Sequence, residues 1–155
     1  MKLGVISDTH GLFDTAIPSI FSGVDLIVHA GDIGRIEIIE KLESIAPVIA
    51  VEGNNDWFSK FPTERVEQIA GRQVMVRHIF GELHQLDSSL VSLVERIKPD
   101  IVIFGHSHRP YKEMLGRTML FNPGSAGPRR FSLPRTVGLL LIEESGVETD
   151  IIHLD

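Results

Sequence analysis

Two histidines follow a short apolar stretch in the second half of the chain. Ile101–Phe104 has the composition of a buried strand, and Gly105 separates it from His106 and His108. Imidazoles at positions i and i+2 project to the same side if the strand continues and diverge if the chain turns. The pair can therefore bind one metal ion or two neighbouring ions. Because His-x-His pairs also occur without metals, this one carries weight only beside other ligand-type residues.

Four other apolar runs also end in residues that bind metals. In chain order these ends are Asp8-Thr9-His10, Gly31-Asp32, Gly53-Asn54 and His78. Ligands in open α/β sheets bind beyond the carboxyl ends of the strands, so neighbouring strands would bring these side chains to one edge. Glycine stands before the ligand residue at Gly31, Gly53 and Gly105, where a missing Cβ lets other groups crowd around an ion. The repeated pattern predicts a metal site.

The elements that must position these residues begin as βα units and continue as antiparallel strands. Periodicity and turn residues predict helices over about 15–21, 35–44 and 88–97. Strands are predicted over about 2–7, 26–30, 48–53, 64–69, 73–78, 101–104, 111–115, 118–121, 137–142 and 147–154. This order predicts a mixed α/β (α+β) fold, a four-layer αββα sandwich with two packed mixed sheets and outer helices. With no linker or repeat, residues 1–155 are predicted to form a single domain.

The amino-acid composition argues against several classes of function. Without cysteine the chain has no disulfide, and only oxygen and nitrogen atoms are available to a metal. The formal net charge of −6 argues against binding of extended nucleic acid, which needs clustered Lys and Arg. We find no signal peptide and no apolar run of membrane-spanning length, so the sequence predicts a cytoplasmic protein that does not bind membranes.

The ordered motifs resemble those of a known enzyme family, the calcineurin-like metallophosphoesterases. The motifs that carry the resemblance are Asp8-Thr9-His10, Gly31-Asp32, Gly53-Asn54-Asn55-Asp56, His78 and Gly105-His106-Ser107-His108. The short length and the Asn122-Pro123-Gly124-Ser125 loop further resemble the small prokaryotic YfcE-type phosphodiesterases. The resemblance runs from the first strand to that loop. It implies an enzyme that hydrolyses small phosphodiesters, with monoesters as a further substrate class.

The resemblance also implies a site with two divalent ions. One ion would be held by Asp8, His10 and His108, the other by Asn54, His78 and His106, and Asp32 would bridge the two. Asp32, Asn54 and His78 would take part in catalysis as well. The reaction would be direct hydrolysis by a hydroxide that bridges the two metals, without a covalent enzyme intermediate. Mixed Asp, Asn and His ligation favours Mn²⁺, with Fe²⁺, Ni²⁺ or Zn²⁺ as alternatives to it.

Four further residues are predicted to contact the substrate. They are Asn55, Arg109, Asn122 and Arg129. Arg109 and Arg129 could bind phosphate through two hydrogen bonds, or be solvated surface charges. Asn122 could line the site, or bond only to the backbone of its own turn. His29, inside the second strand, is interpreted as a hydrogen-bonded core or supporting histidine and not as a ligand.

Two departures from the family pattern bear on activity. Many larger relatives carry a histidine at the position of Asn55, where it can protonate the leaving group; its absence favours substrates with good leaving groups. The second departure is the sequence Ile79-Phe80-Gly81 after His78, which leaves His84 as a less favoured substitute ligand.

The alternative function is a non-catalytic scaffold. The retromer subunit of this fold is an interaction protein in which the bridging Asp and the metal-binding Asn are altered, whereas Asp32 and Asn54 are present here. Assembly into a homo-oligomer is left open by the sequence.

Overall fold

Ten strands form two sheets in the computed structural model, which describes residues 1–155. The strands are β1 (Lys2–Ile6), β2 (Leu26–His29), β3 (Val48–Ala50), β4 (Glu64–Ile69), β5 (Arg72–Arg77), β6 (Ile101–Ile103), β7 (Pro110–Leu115), β8 (Thr118–Pro123), β9 (Thr136–Glu143) and β10 (Gly146–His153). The helices are α1 (Ile17–Ile20), α2 (Ile36–Glu43) and α3 (Ser88–Ile97), with a 3₁₀ turn over Leu83–Gln85.

Each sheet has five strands and mixes parallel with antiparallel pairs. The first sheet has the order β10-β9-β1-β2-β3, in which β1, β2 and β3 run parallel. The second has the order β4-β5-β6-β8-β7, in which β5, β6 and β8 run parallel. The carboxyl ends of β1, β2 and β3, and those of β5 and β6, therefore form one edge in each sheet. These are the strands that precede the predicted ligands.

Apolar residues at alternate strand positions form separate cores on the two faces of each sheet. In β5, Val74 and Val76 enter the core between the two sheets, whereas Met75 between them packs on the other face with Val94 of α3. On the far side, α1 and α2 cover the first sheet; Leu42 of α2 belongs to that core and is completely buried. The order of layers is helix, sheet, sheet, helix, which confirms the predicted fold class.

Local sequence signals explain where the helices begin and end. Asp87 precedes α3 and its side chain accepts hydrogen bonds from the backbone N–H groups of Ser89 and Leu90, so α3 has the predicted bounds. α1 is shorter than predicted. It begins later in the chain, because the side chain of Asp14 accepts a hydrogen bond from the N–H of Ala16 in a turn that precedes the helix. The 3₁₀ turn over Leu83–Gln85 was not predicted from the sequence. None of the helices has the length and apolar character that a membrane crossing requires.

Candidate metal centre

The backbone beyond β1 and β2 stays paired where the predicted ligands begin. The N–H of Asp8 donates to the carbonyl of Gly31 at 2.9 Å, and the N–H of His10 donates to that of Asp32 at 3.0 Å. These backbone hydrogen bonds fix the position of the loop after β1 relative to the loop after β2. Asp8, His10 and Asp32 are thus held by main-chain bonds before any metal binds.

Loops of the second sheet meet the loops of the first sheet beside Asp8. The N–H of Gly105 donates to the carbonyl of His78 at 3.0 Å, which pairs the loops after β5 and β6. The N–H of His106 then donates to Asp8 Oδ2 at 3.1 Å, and Ser7 Oγ donates to the same oxygen at 2.7 Å. The strand ends therefore converge from both sheets, and not from one sheet edge alone.

Unusual backbone conformations direct the side chains into this convergence. Five of the seven predicted ligands have positive φ angles: Asp8 (54°), His10 (46°), Asp32 (53°), His106 (70°) and His108 (59°). Left-handed conformations are uncommon outside glycine and cost energy, so they persist where the surrounding structure holds them and cluster at functional sites. They turn successive side chains towards a common centre, which an extended strand end cannot do.

The three glycines before the ligands are required by close approach. A Cβ on Gly105 would lie 2.7 Å from Asp8 Oδ2, and one on Gly53 would lie 2.9 Å from Asp32 Cγ. A Cβ on Gly31 would lie 2.8 Å from the Cβ, Cγ and Nδ1 atoms of His78. These distances are shorter than real Cβ contacts allow, so any larger residue would displace a predicted ligand.

One group of side chains joins the ends of β1 and β6. Asp8 Oδ1 lies 3.2 Å from His108 Nε2 and 3.9 Å from His10 Nε2. The two imidazole nitrogens are 3.3 Å apart. Asp8, His10 and His108 can therefore present one ligand atom each to a single cation, as predicted for the first ion.

A second group lies beside the first and includes both carboxylates. Asp32 Oδ2 lies 3.4 Å from His78 Nε2 and 3.7 Å from His10 Nε2, so Asp32 reaches histidines of both predicted ion sites. Asp8 Oδ1 is also 3.8 Å from His78 Nε2. Asp8 thus stands between the two sites as well, a position that the sequence did not predict for it.

The remaining two predicted ligands contact each other. Asn54 Oδ1 lies 3.1 Å from His106 Nδ1, and the imidazole ring of His106 is 5.4 Å from that of His78. Both Asn54 and His106 are exposed, in contrast to the buried His78. The structure therefore brings all seven predicted residues together, with the second ion site at the more open end.

Unpartnered polar atoms show that this group fits a cation. His78 Nδ1 lies 2.7 Å from the carbonyl of Ala30, which accepts its proton and leaves the lone pair of Nε2 facing the centre. That Nε2 atom and Asp8 Oδ1 are buried without a hydrogen-bond partner. A buried carboxylate oxygen and a buried imidazole lone pair without partners are costly unless they bind something positive.

The ionisation of the carboxylates agrees with this fit. Burial raises the pKa of Asp8, but the close imidazole of His108 and the nearby His78 outweigh burial, so that the pKa falls below its usual value. Burial likewise raises the pKa of Asp32. His78 and two hydrogen bonds from Asn55 lower it by more than burial raises it, so the pKa of Asp32 is well below its usual range. Both groups are therefore anionic at neutral pH.

A family model and several sequence relatives match this chain. The model of the calcineurin-like phosphoesterase superfamily domain matches residues 1–145. The chain belongs to this superfamily. A probable metallophosphoesterase of Methanothermobacter thermautotrophicus is 34% identical over 99% of this chain and 92% of its own length. The phosphodiesterase YfcE of Escherichia coli is 28% identical over 90% of this chain and 87% of its own. The predicted resemblance is confirmed.

A solved structure shares the fold. Vps29 of Entamoeba histolytica, crystallised in complex with Zn²⁺, superposes with a TM-score of 0.78 over the whole of both chains, at 19% identity. At this identity the likeness concerns the fold alone. Calcineurin-like phosphoesterases use divalent metal ions, and the two groups around Asp8 are candidate ligand clusters, so family membership makes this protein a metal-dependent phosphoesterase.

Two residues outside the ligand set hold the phosphoesterase site together. Asp56, which is buried, accepts hydrogen bonds from the backbone N–H groups of Ile33 and Gly34 at 3.0 Å each and of Gly53 at 2.9 Å. It thereby joins the loop after β2 to the loop after β3. The sequence placed Asp56 in a motif without giving it this role.

The second supporting residue is His29, which is completely buried in β2. Its Nδ1 accepts from the N–H of Gly31 at 3.2 Å, and its Nε2 lies 3.0 Å from Thr9 Oγ1. Because Thr9 Oγ1 donates its own proton to the carbonyl of Ile33, His29 Nε2 must donate, and the ring is neutral. Burial lowers its pKa to about 4. The structure thus supports the interpretation of His29 as a supporting residue.

The predicted substrate contacts occupy different environments. Asn55 Nδ2 donates to Asp32 Oδ2 at 2.7 Å, which gives it a part in positioning Asp32. Asn122 is completely buried; it donates to the Gly105 carbonyl and accepts from the N–H of Gly124, which favours the support of these turns over a contact with substrate.

The two predicted arginines also differ. Arg109 is exposed next to His108 and makes no ion pair, whereas the guanidinium of Arg129 pairs with Asp155. For both, contact with the substrate stays a prediction. The alternative ligand His84 is exposed and lies 3.7 Å from Glu82, outside the two groups of candidate ligands.

Proposed function

We propose that this protein is a phosphodiesterase that uses two divalent metal ions and acts through residues 1–155 as one catalytic domain. The observation that carries the proposal is the position of Asp8 and Asp32, whose oxygens lie within 4 Å of imidazole nitrogens of both histidine groups. One ion would be held by Asp8, His10 and His108. The other would be held by His78, Asn54 and His106, with Asp32 between the two.

The protein's own groups define the chemistry of this site. Only Asp8 and Asp32 bring negative charge, since Asn54 and the neutral imidazoles bring none, so two bound divalent ions would keep a net positive charge. When bound, the ions would activate a water molecule and neutralise charge on the phosphoryl oxygens. The positive centre would attract a diester, which carries one negative charge, and the exposed Arg109 would add two further donors to its oxygens.

The leaving group receives no proton from the residue in the usual position. Asn55 stands there, and its amide is bonded to Asp32. General acid catalysis typically contributes 10²- to 10⁴-fold, so we expect diesters with acidic leaving groups to be hydrolysed much faster than alkyl diesters. We propose Mn²⁺ as the metal for activity, because oxygen and imidazole ligands together favour it over Mg²⁺, with Fe²⁺, Ni²⁺ and Zn²⁺ as alternatives.

The alternative function is a metal-binding scaffold, and it is kept because a Vps29 structure with bound Zn²⁺ has the same fold. The presence of Asp32 and Asn54 supports the enzyme, since Asp32 Oδ2 lies 3.4 Å from His78 Nε2 and Asn54 Oδ1 lies 3.1 Å from His106 Nδ1.

Hydrolysis of bis(4-nitrophenyl) phosphate by metal-stripped protein, with Mn²⁺ added back, tests the proposal. We expect metal-dependent turnover in the wild type and a loss greater than about 100-fold in Asp32→Asn, since residues that only support ligands already contribute 10- to 100-fold. Tight metal binding without turnover, for Mn²⁺, Fe²⁺, Ni²⁺ and Zn²⁺ alike, would instead favour the scaffold.

A further inference from the structure

A polar cleft opens directly beside the candidate metal centre. It has a volume of ≈ 470 Å³, and its lining includes Asn54 and His78, two predicted ligands of the second ion. Thr63, Glu64 and Arg77 also line it. A cleft of this size accommodates a small organic group, since binding pockets commonly measure 300–1,000 Å³. A phosphate bound at the metals would therefore lie beside this cleft.

The lining is unusually poor in apolar side chains. Ile79 is the one hydrophobic residue among the eight that line the cleft. An aromatic or alkyl substituent would desolvate the charged groups of the cleft without forming hydrogen bonds to them. The cleft therefore suits a substituent that forms hydrogen bonds of its own.

Hydrogen-bonding groups remain available on the cleft walls. Thr63 is exposed and its hydroxyl has no partner within the protein. Glu64 Oε2 accepts from Arg77 Nη1 at 3.2 Å, which leaves the second oxygen of Glu64 and most N–H groups of Arg77 unused. Glu52 Oε1 accepts from two backbone N–H groups, so its other oxygen is unused as well. The cleft thus offers both hydrogen-bond donors and hydrogen-bond acceptors. A ligand hydroxyl group, which donates and accepts, can use both.

The charges that line the cleft favour neutral polar groups over anionic ones. Glu52 and Glu64 are acidic, whereas Arg77 is the one permanent cation on the walls and is already paired. A second phosphate on the substrate would meet two carboxylates and one engaged arginine, so it would be repelled. Neutral hydroxyl groups suffer no such repulsion and can donate to the carboxylates and accept from Thr63 and Arg77.

We infer that this cleft binds a neutral, hydroxyl-rich substituent of the phosphodiester, such as a polyol or sugar, and so sets the substrate class of the site. The inference rests on the proposed phosphodiesterase function. Thr63 and Glu64 would be specificity residues, since they lie outside the ligand groups and would contact the substituent away from the phosphate.

Two substrates with the same leaving group test the inference. They are the 4-nitrophenyl diesters of 4,5-dihydroxypentyl phosphate and of pentyl phosphate. These differ only in two hydroxyl groups, which lie too far along the chain to attack phosphorus through a five- or six-membered ring. We expect the wild-type enzyme with Mn²⁺ to show a kcat/KM at least about 10-fold higher for the dihydroxypentyl diester, from hydrogen bonds of ordinary strength. Thr63→Val, which keeps the shape of the side chain, should remove most of this preference.

Controls separate the cleft from the metal centre. Thr149→Val, in the edge strand β10 far from the cleft, should keep the full preference. Equal kcat/KM values for both diesters in the wild type would overturn the cleft assignment and leave the phosphodiesterase standing. A preference that survives both Thr63→Val and Glu64→Gln would also overturn it. Absence of hydrolysis of either diester with any of the four metals would overturn the proposed function and this inference together.

Discussion

Gly31 packs directly against the side chain of His78: a Cβ at position 31 would lie 2.8 Å from the Cβ, Cγ and Nδ1 atoms of that histidine. The contact joins the two sheets at the metal centre, because Gly31 follows β2 and His78 follows β5. His78 donates to the carbonyl of the residue before Gly31, at 2.7 Å. The backbone of the first sheet therefore sets the orientation of a predicted ligand from the second.

Gly31→Ala should displace His78 and weaken metal binding. We expect Mn²⁺ affinity, measured by calorimetry, to fall about 10- to 100-fold, as it does when groups that support a ligand are lost. Gly23→Ala is the matched control, since Gly23 also has positive φ (77°) but a Cβ there meets no atom within 4 Å. Backbone strain should cost both variants about 1 kcal/mol of stability, and the clash with His78 should cost Gly31→Ala more in addition. Unchanged Mn²⁺ affinity in Gly31→Ala would show that His78 does not bind the metal.

Asp56→Asn should destabilise the fold and the site together. The amide oxygen could accept only some of the hydrogen bonds that the carboxylate now accepts from Ile33, Gly34 and Gly53, and the amide N–H₂ would face the remaining N–H. Buried bonds to a charged group contribute about 1.5–3 kcal/mol, so we expect a loss of about 3 kcal/mol in urea unfolding. Asp87→Asn is the control: Asp87 also accepts from two backbone N–H groups, but at the exposed start of α3, where Asn is an equally good cap. An equal loss in both variants would contradict the role given to Asp56.

The sequence predicted the parts of this molecule that depend on local signals. Helix α3 has a cap at Asp87 and a stop at Pro99, and the β4–β5 hairpin has a turn at Ala70-Gly71, so both were predicted closely. The convergence of the candidate ligands followed from their positions after strands.

Other features depend on distant parts of the chain and left no local signal. The position of Asp8 between both ion sites depends on its positive φ and on a hydrogen bond from His106, 98 residues away. The role of Asp56 depends on loops that meet only in the folded protein. Arg129 was predicted to reach substrate, but the pairing of its side chain with Asp155 depends on where the end of the chain packs.

Asn55→Ala should weaken the site without removing a ligand. The variant loses the bond from Asn55 Nδ2 to Asp32 Oδ2 at 2.7 Å and keeps the backbone bond to Oδ1 at 2.9 Å. Because the lost bond helps to lower the pKa of Asp32, that pKa should rise. We expect Mn²⁺ affinity to fall about 10-fold and hydrolysis of bis(4-nitrophenyl) phosphate to need more metal. If Asn55 acts on the substrate alone, KM will change while Mn²⁺ affinity stays the same.

The buried His29 should make stability fall in mildly acidic solution. Its pKa is about 4 in the folded protein and about 6.5 in the unfolded chain, because burial disfavours the charged ring. The unfolded state therefore binds more protons between these values. The stabilisation is complete above pH 6.5 and is lost as pH falls towards 4, by an amount on the order of 3 kcal/mol.

His29→Asn isolates this contribution to the pH dependence. Asn cannot titrate, and its side-chain oxygen can still accept the N–H bond from Gly31 that His29 Nδ1 now accepts at 3.2 Å. Urea unfolding of metal-free wild type and variant, at half-unit steps from pH 7.5 to 4, gives the difference directly. The difference removes effects common to both, including those of His78, whose pKa is raised and which acts in the opposite sense. The wild type should be the more stable at pH 7.5, and its advantage should shrink as pH falls. A constant advantage across this range would mean that the pKa of His29 is the same in the folded and unfolded states, which would contradict the assignment of His29 as a buried neutral ring.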